Sequence, residues 1–337
     1  MRIYVLEKTI MNLNKLMRLL PSFALAAGLA SSAHAADKLR IAVMKTGTFA
    51  WEIGLMKARG LDKAADLEIE LVELASPEAA KIALQGGSAD MIVSDWLWVA
   101  RERSLGDKLL FAPYSSASGA VMAPKDSPIH AIGDLAGHTL GIAGGPIDKN
   151  WLLLQAAARR SGLDLAHKAR PQYGAPPLIA EKLAQGEFDA ALEFWNFSAD
   201  LETRGFHRAI EISDIEKQLG ATGPVSMTGY VFSEDFARSH AQALIRYFAV
   251  AGKAREILAQ DASAWAPIKA QLHLKDDAAL ALFRKRYLDG VAKRNVAEEA
   301  ADARTLFHAL AEVGGKDLVG DVKELDTSLF YDASAGE

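Results

Sequence analysis

Between residues 38 and 232, short apolar runs of strand length alternate with helix-length segments. That alternation restricts the chain to an α/β fold of βαβ units with largely parallel sheets. The spacing predicts a first strand at Leu39–Met44, a turn at Lys45–Thr48 and a helix from Phe49. Leu67 to Val72 alternates apolar and charged residues with period two, as a half-buried strand does. Ser76-Pro77-Glu78 supplies an N-cap and a first-turn proline for a helix that stops at Gly86-Gly87. A strand at Asp90–Ser94, a helix at Trp96–Ser104 and strands at Leu109–Tyr114 and Gly119–Ala123 follow. After the linker-like Pro124–Pro128 the pattern starts again, with a short helical piece at Ile132–Leu135 and a strand at Thr139–Ile142. Gly144-Gly145-Pro146 leads into a helix over 148–161, then come strand 169–172, helix 177–185, strand 190–193, helix 197–204 and strand 209–212. Residues 227–232 read as extended, and the chain beyond Ser233 reads as helical near 240–260, 263–271, 276–289 and 295–313.

A length of 337 residues allows about two domains. The net charge of −5 argues against an extended phosphate-binding face. The absence of cysteine excludes disulfides, thiolate metal sites, a cysteine nucleophile and a lipidated N-terminal cysteine. No run of 18 apolar residues occurs after residue 35. Met11 to Ala35 has the order of a secretory signal peptide: Lys15 and Arg18, then apolar Leu19–Ala30, then the cleavage triplet Ala33-His34-Ala35. Met1–Ile10 reads as an upstream mis-start. Removing residues 1–35 removes Arg2, Lys8, Lys15, Arg18 and Glu7, which takes the net charge from −5 to −8. A soluble, unlipidated, exported protein points to a Gram-negative periplasm, where an ATP- or nicotinamide-dependent catalyst is out of place.

One internal correspondence stands out. Residues Gln85 to Trp96 resemble Gln185 to Trp195: a helix ends near Gln-Gly, an Asp leads a short apolar strand, and an acid and a Trp follow its end. Two similar lobes would present such strand ends to one cleft, and ligands of open α/β sheets bind beyond the carboxyl ends of strands. Trp51, Trp96, Trp98, Trp151 and Trp195 all fall just after predicted strand ends. One Trp at such a place fits a core as well as a cleft, but five favour a lined cleft. Tyr114, Tyr173 and Phe194 lie at similar ends.

Catalytic signatures are missing: there is no Gly-x-Ser-x-Gly elbow, no P-loop, no dinucleotide fingerprint and no zinc spacing among the eight histidines. Glu52, Asp95 and Glu193 lie among the Trp positions, where a cationic ligand would gain cation–π and charge contacts. Their alternative role is helix capping, and Asp95 before Trp96 suits an N-cap. Lys45-Thr46-Gly47-Thr48 and Gly144-Gly145-Pro146, with Lys149, precede helix N-termini that favour anions. Ligand charge stays open at this point.

Ser76-Pro77-Glu78-Ala79-Ala80 with Leu84-Gln85-Gly86, and Ser127-Pro128-Ile129 with the run from Ile132 to Ile142, resemble solute-binding proteins of ABC importers. The most similar group is the nitrate/sulfonate/taurine type, which includes binders of thiamine-pyrimidine precursors. Tyr230–Phe236 followed by long helices matches how such chains return to their first lobe, and the resemblance spans nearly all of residues 38–320. It implies a type II periplasmic-binding fold, two α/β lobes with a two-crossover hinge and a helical C-terminal segment, closing on a ligand. Lobe 1 would comprise 38–121 and 226–337, and lobe 2 would comprise 122–225. The family's binding loops fall on Lys45–Trp51, Ser94–Trp98, Tyr114-Ser115, Gly144–Trp151, Tyr173-Gly174 and Glu193–Asn196. The candidate ligand-binding residues are therefore Thr48, Trp51, Ser94, Asp95, Trp96, Trp98, Tyr114, Lys149, Trp151, Tyr173, Glu193, Trp195 and Asn196. Trp51, Trp96, Trp151 and Trp195 would enclose the solute, and Asp95 and Glu193 would anchor its polar edge. The resemblance also implies a monomer without cofactor, metal or catalysis, whose partners are a small molecule and a permease with its ATPase. Acids and Trp in these loops turn the expected ligand toward a flat, nitrogen-containing, neutral or cationic solute. The other readings are a periplasmic sensor, a sulfonate-, taurine- or nitrate-type anion binder, and an enzyme like the intracellular pyrimidine-precursor synthases, whose His- or Cys-rich site is absent here.

Overall fold

The structure, a computed structural model, describes residues 36–44 and 47–333; the expected signal peptide lies outside them. In chain order the elements begin with β1 (Asp37–Met44), α1 (Thr48–Ala58), α2 (Leu61–Ala64), β2 (Leu67–Leu74), α3 (Pro77–Gln85), β3 (Ile92–Ser94), α4 (Trp96–Ser104), β4 (Leu109–Ser115) and β5 (Ala120–Ala123). Next come β6 (Thr139–Ala143), α5 (Lys149–Arg160), α6 (Leu165–Lys168), β7 (Arg170–Gly174), α7 (Pro176–Ala184), β8 (Ala190–Glu193), α8 (Trp195–Thr203), β9 (His207–Glu211) and α9 (Ile212–Gln218). The chain ends with β10 (Thr228–Ser233), α10 (Glu234–Ser239), α11 (Ala241–Gln260), α12 (Ala266–Gln271), α13 (Asp277–Asp289) and α14 (Val296–Val319).

Five strands form a sheet in the order β7-β6-β8-β5-β9. In it β6 runs parallel to β7 and β8, while β5 is antiparallel to β8 and β9. The other strands pair as β1-β2 and β3-β10-β4, with β10 antiparallel to both neighbours. A parallel bridge from Ile41 to Met91, where the Ala42 N–H donates to the Met91 carbonyl at 2.9 Å, joins these two groups. The resulting order, β2-β1-β3-β10-β4, repeats the plan of the first sheet. In each, the reversed strand in fourth place lies next to a crossover between the sheets.

The repeat is exact at the level of side chains. Asp90 accepts from the Arg40 N–H at 2.8 Å and donates its own N–H to the Arg40 carbonyl. Asp189, 99 residues on, accepts from the Thr139 N–H at 2.7 Å and donates to the Thr139 carbonyl. Gly87 and Gly186 both take positive φ where α3 and α7 end. Trp96 and Trp195 begin the equivalent helices α4 and α8.

Two differences from expectation have local causes. Residues 212–218 form helix α9 because Ile212 and Ile215, three residues apart, share a buried face. The last helix continues to Val319, but Gly315 at φ 58° breaks it close to the expected end. One apolar core then runs through both sheets, from Leu97, Phe111 and Val231 to Leu140, Leu153 and Leu192, and includes Leu306 and Phe307 of α14. Helix α14 packs against both α4 and α5.

The crossovers are held by buried acids and close backbone contacts. Glu216 accepts from the Ser118 hydroxyl at 2.9 Å, and Glu299 accepts from the Ser226 N–H at 3.0 Å. Asp302 gathers the N–H groups of Thr222 and Gly223 together with Arg294. A Cβ at Gly119 would lie 1.6 Å from the Glu193 carbonyl oxygen, so no other residue fits there.

The paired aspartates make a direct prediction. Asp90→Ala and Asp189→Ala each remove the acceptor of a strand N–H, part-buried in the first case and exposed in the second, and should cost about 0.5–1.5 kcal/mol. Urea denaturation of each variant checks this, and unchanged midpoints in both would show that the repeat carries no stabilising role.

Candidate functional site

Both sheets end at a common cavity of about 760 Å3. From the first sheet it is lined by Met44 at the end of β1, Ser94 at the end of β3 and Tyr114 near the end of β4. From the second it takes Asp148, Lys149 and Asn150 at the start of α5, and Phe194, Trp195 and Asn196 at the start of α8. The crossover residues Ala117, Ser118, Gly119 and Met227 also reach it.

Of the thirteen residues expected from sequence, Thr48, Ser94, Asp95, Tyr114, Lys149, Trp195 and Asn196 line this cavity. Lys45 and Thr46 lie outside the described residues. The other six do not line it. Trp96 and Trp151 are fully buried in the core shared by the sheets, and Trp98 is buried beside them. The cause is covering: α14 packs on α4 and α5, so their first-turn rings turn inward. Trp51 is buried behind Trp195, its ring edge-on at 6.4 Å. Tyr173 is exposed on β7, the edge strand farthest from the crossover strand. Glu193 is wholly buried, and neither carboxyl oxygen has a hydrogen-bond partner.

Several lining residues escaped the sequence reading. Glu78 and Lys81 come from α3, Asp200 from α8, and Leu272, Leu274 and Phe283 from the C-terminal helices. Asp148 had a legible signal, since it follows a Gly-Gly-Pro turn and caps α5 through the Asn150 and Trp151 N–H groups. The C-terminal residues had none, because a helix in the tail does not reveal which cavity it approaches.

The charges are strongly coupled. Lys149 from the second sheet's side meets Asp95 from the first at 3.0 Å, and Asp95 also accepts from the Trp98 N–H at 2.9 Å. Burial pushes the Asp95 carboxyl up, but Lys149 and this cap together hold it below the usual carboxylate range. Asp95, whose charge favours the ammonium, outweighs burial and raises Lys149. Asp148 is pushed up to about 6 by burial. Lys81 sits over the Trp98 ring at 5.3 Å. Ser76, Asp95 and Asp148 cap α3, α4 and α5, whereas at Gly47 and Phe194 α1 and α8 have no side-chain cap among the described residues. Those two open N-termini reach the cavity from opposite sheets.

Burial pushes Glu193 up to about 9 from an ordinary 4.5. Between those values the native protein holds a proton that the unfolded chain has lost, so stability falls as pH rises. The slope for one such group is about 1.4 kcal/mol per pH unit. Glu193→Gln should therefore flatten the decline between pH 7 and 9. Thermal melts across that range check it, and parallel wild-type and variant profiles would contradict a neutral Glu193.

A family model described as NMT1/THI5 like matches residues 55–261. The chain is similar in structure to the periplasmic aliphatic sulphonate-binding protein SsuA of Escherichia coli, with TM-score 0.67, 18% identity and coverage of 87% of this chain and 99% of that one. It is also similar to the alkanesulfonate-binding protein SsuA of Xanthomonas axonopodis pv. citri bound to MOPS, with TM-score 0.64, 19% identity and coverage of 87% and 98%. The desulfurization enzyme DszB shares the fold at TM-score 0.53 and 15% identity, over 87% of this chain and 99% of that one. No curated protein matches the chain. With a two-sheet fold common to periplasmic binding proteins and a family model matched over more than half its length, the chain belongs to the NMT1/THI5-like family.

Proposed function

We propose that this protein is the periplasmic solute-binding subunit of an ABC importer, which captures a small organic molecule and hands it unchanged to a membrane permease. The observation that carries this reading is the cavity at the carboxyl ends of both sheets, spanned by the Asp95–Lys149 ion pair. The lobes would be 38–121 with 226–337, and 122–225, working as a single chain. A solute that touches both lobes only when they are together shifts the population toward closure. A cavity of about 760 Å3 lies in the range of organic-ligand sites, roughly 300–1,000 Å3, and nitrate alone would leave most of it unfilled.

Two readings of the solute's charge have support. The lining carboxylates Glu78, Asp95, Asp148 and Asp200 and the Trp195 ring favour a flat, nitrogen-containing, neutral or cationic solute. The uncapped N-termini of α1 and α8, together with Lys149, favour an anionic head such as a sulfonate, the ligand class named for both SsuA proteins. The second reading is at least as well supported, because Asp95 and Asp148 already accept from helix N–H groups and Asp200 pairs with Arg204, while of the anion's partners only Lys149 is already paired, with Asp95.

Thermal-shift screening of sulfonates, amines and nitrogen heterocycles tests the function directly. A ligand at about 100 times its Kd should add roughly 2.7 kcal/mol of stability. Reciprocal variants then assign the charge. With an anionic head, Lys149→Met should weaken binding at least about tenfold, equivalent to ~1.4 kcal/mol, and Asp95→Asn should strengthen it. The opposite pattern would assign a cation. Conversion of a bound compound, followed by mass spectrometry, would replace the transport reading with an enzymatic one.

A further inference from the structure

One wall of the cavity comes from neither sheet. Leu272 and Leu274, in the turn between α12 and α13, and Phe283 on α13 line it, and all three pack in one apolar cluster with Trp195. The Phe283 and Trp195 rings lie 5.1 Å apart. Between the leucines, His273 takes φ 52°, a left-handed conformation that a residue with a Cβ adopts only where its surroundings impose it. Hydrogen bonds from the His273 and Leu274 N–H groups to Ala270 and Lys269 fix this turn. Three residues after Phe283, Arg286 makes two hydrogen bonds to Glu202 of α8, at 2.6 and 2.9 Å. The wall is thus tied to the same helix that presents Trp195. The ionic residues Asp95, Lys149 and Asp148 form a separate group that interacts within itself. The lining therefore divides into an ionic region and an apolar one.

We propose that the Leu272–Leu274 turn and Phe283 determine specificity, selecting the solute by the length and apolarity of the part remote from its head group. The proposal rests on the cavity being the solute site. It assigns the solute to amphipathic molecules, with one charged head and an apolar body that packs against Trp195 and the leucines.

The mature protein, as wild type, Leu274→Ala, Leu272→Ala and Leu274→Met, is titrated calorimetrically with two graded probe series: ethane- to octanesulfonate, and ethyl- to octylamine. Wild-type affinity for one series should rise about fourfold per added methylene and then fall sharply at a limiting length. Both alanine variants should move that limit to longer members, and Leu274→Met, which keeps the volume, should retain it. An unchanged length profile in the alanine variants overturns the wall, as does a uniform loss of affinity across the series. Failure of wild type to bind any member of either series overturns the amphipathic assignment and the wall with it, whereas the solute-site reading falls only if the heterocycles of the thermal-shift screen fail as well.

Discussion

Except for β4, every strand that ends at the cavity is followed by a helix whose first N–H groups have no partner inside the helix, and how each is satisfied bears on what the cavity can hold. On α3, α4 and α5 the chain supplies its own acceptors, Ser76, Asp95 and Asp148. Two of these, Asp95 and Asp148, would otherwise have looked like cation ligands. On α1 and α8 the capping position is Gly47 or Phe194, neither of which offers a side-chain oxygen. Among the described residues, no side chain caps the positive ends of those two helices, and Lys149 lines the same cavity paired with Asp95. Counting carboxylates in the lining gives the wrong weight to charge, because most of them are already engaged.

The fold was legible because its signals are local. Period-two strands, Ser-Pro helix starts and positive-φ glycines each act over a few residues, and Asp90 and Asp189 mark the repeat in the sequence itself. The site was legible only in part. Trp96 and Trp195 occupy the same place in the two sheets and follow similar residues, yet one is sealed in the core and the other lines the cavity. The difference is made by α14 covering α4, a contact between segments some two hundred residues apart. No pattern around either tryptophan records it. Leu272, Leu274 and Phe283 were hidden for the same reason.

Buried acids govern the region where the chain passes between the sheets. Glu216, pushed up to about 7 by burial, holds Ser118, and Glu299, also raised by burial, holds Ser226. Glu193 lies against Gly119 with no partner for either oxygen. Burying such groups opposes folding unless they are neutral or hydrogen-bonded. Glu216 and Glu299 thus fix the crossovers through directional bonds rather than through apolar packing alone. On the proposed two-lobe reading, these are the bonds that would hold the segments about which the lobes move.

On the proposed function, the packing around the cavity bears on which side a solute would enter. Two helix contacts join the halves around it, α14 on α4 and α5, and α13 on α8. On one, Trp96, Trp151, Leu306 and Phe307 are almost completely buried in a continuous apolar core. On the other, half-buried Trp195 meets Phe283, and a part-exposed Arg286–Glu202 pair completes the contact. Separating the first side exposes several large apolar side chains at about 1.5–3 kcal/mol each. Separating the second breaks one ring cluster and an ion pair whose members water can resolvate, which offsets much of the loss. Opening along α8 and α13 is the less costly motion. It would also part Trp195 from the wall that α13 contributes, so on the proposed function the side chains that would close over a solute are those that would measure it.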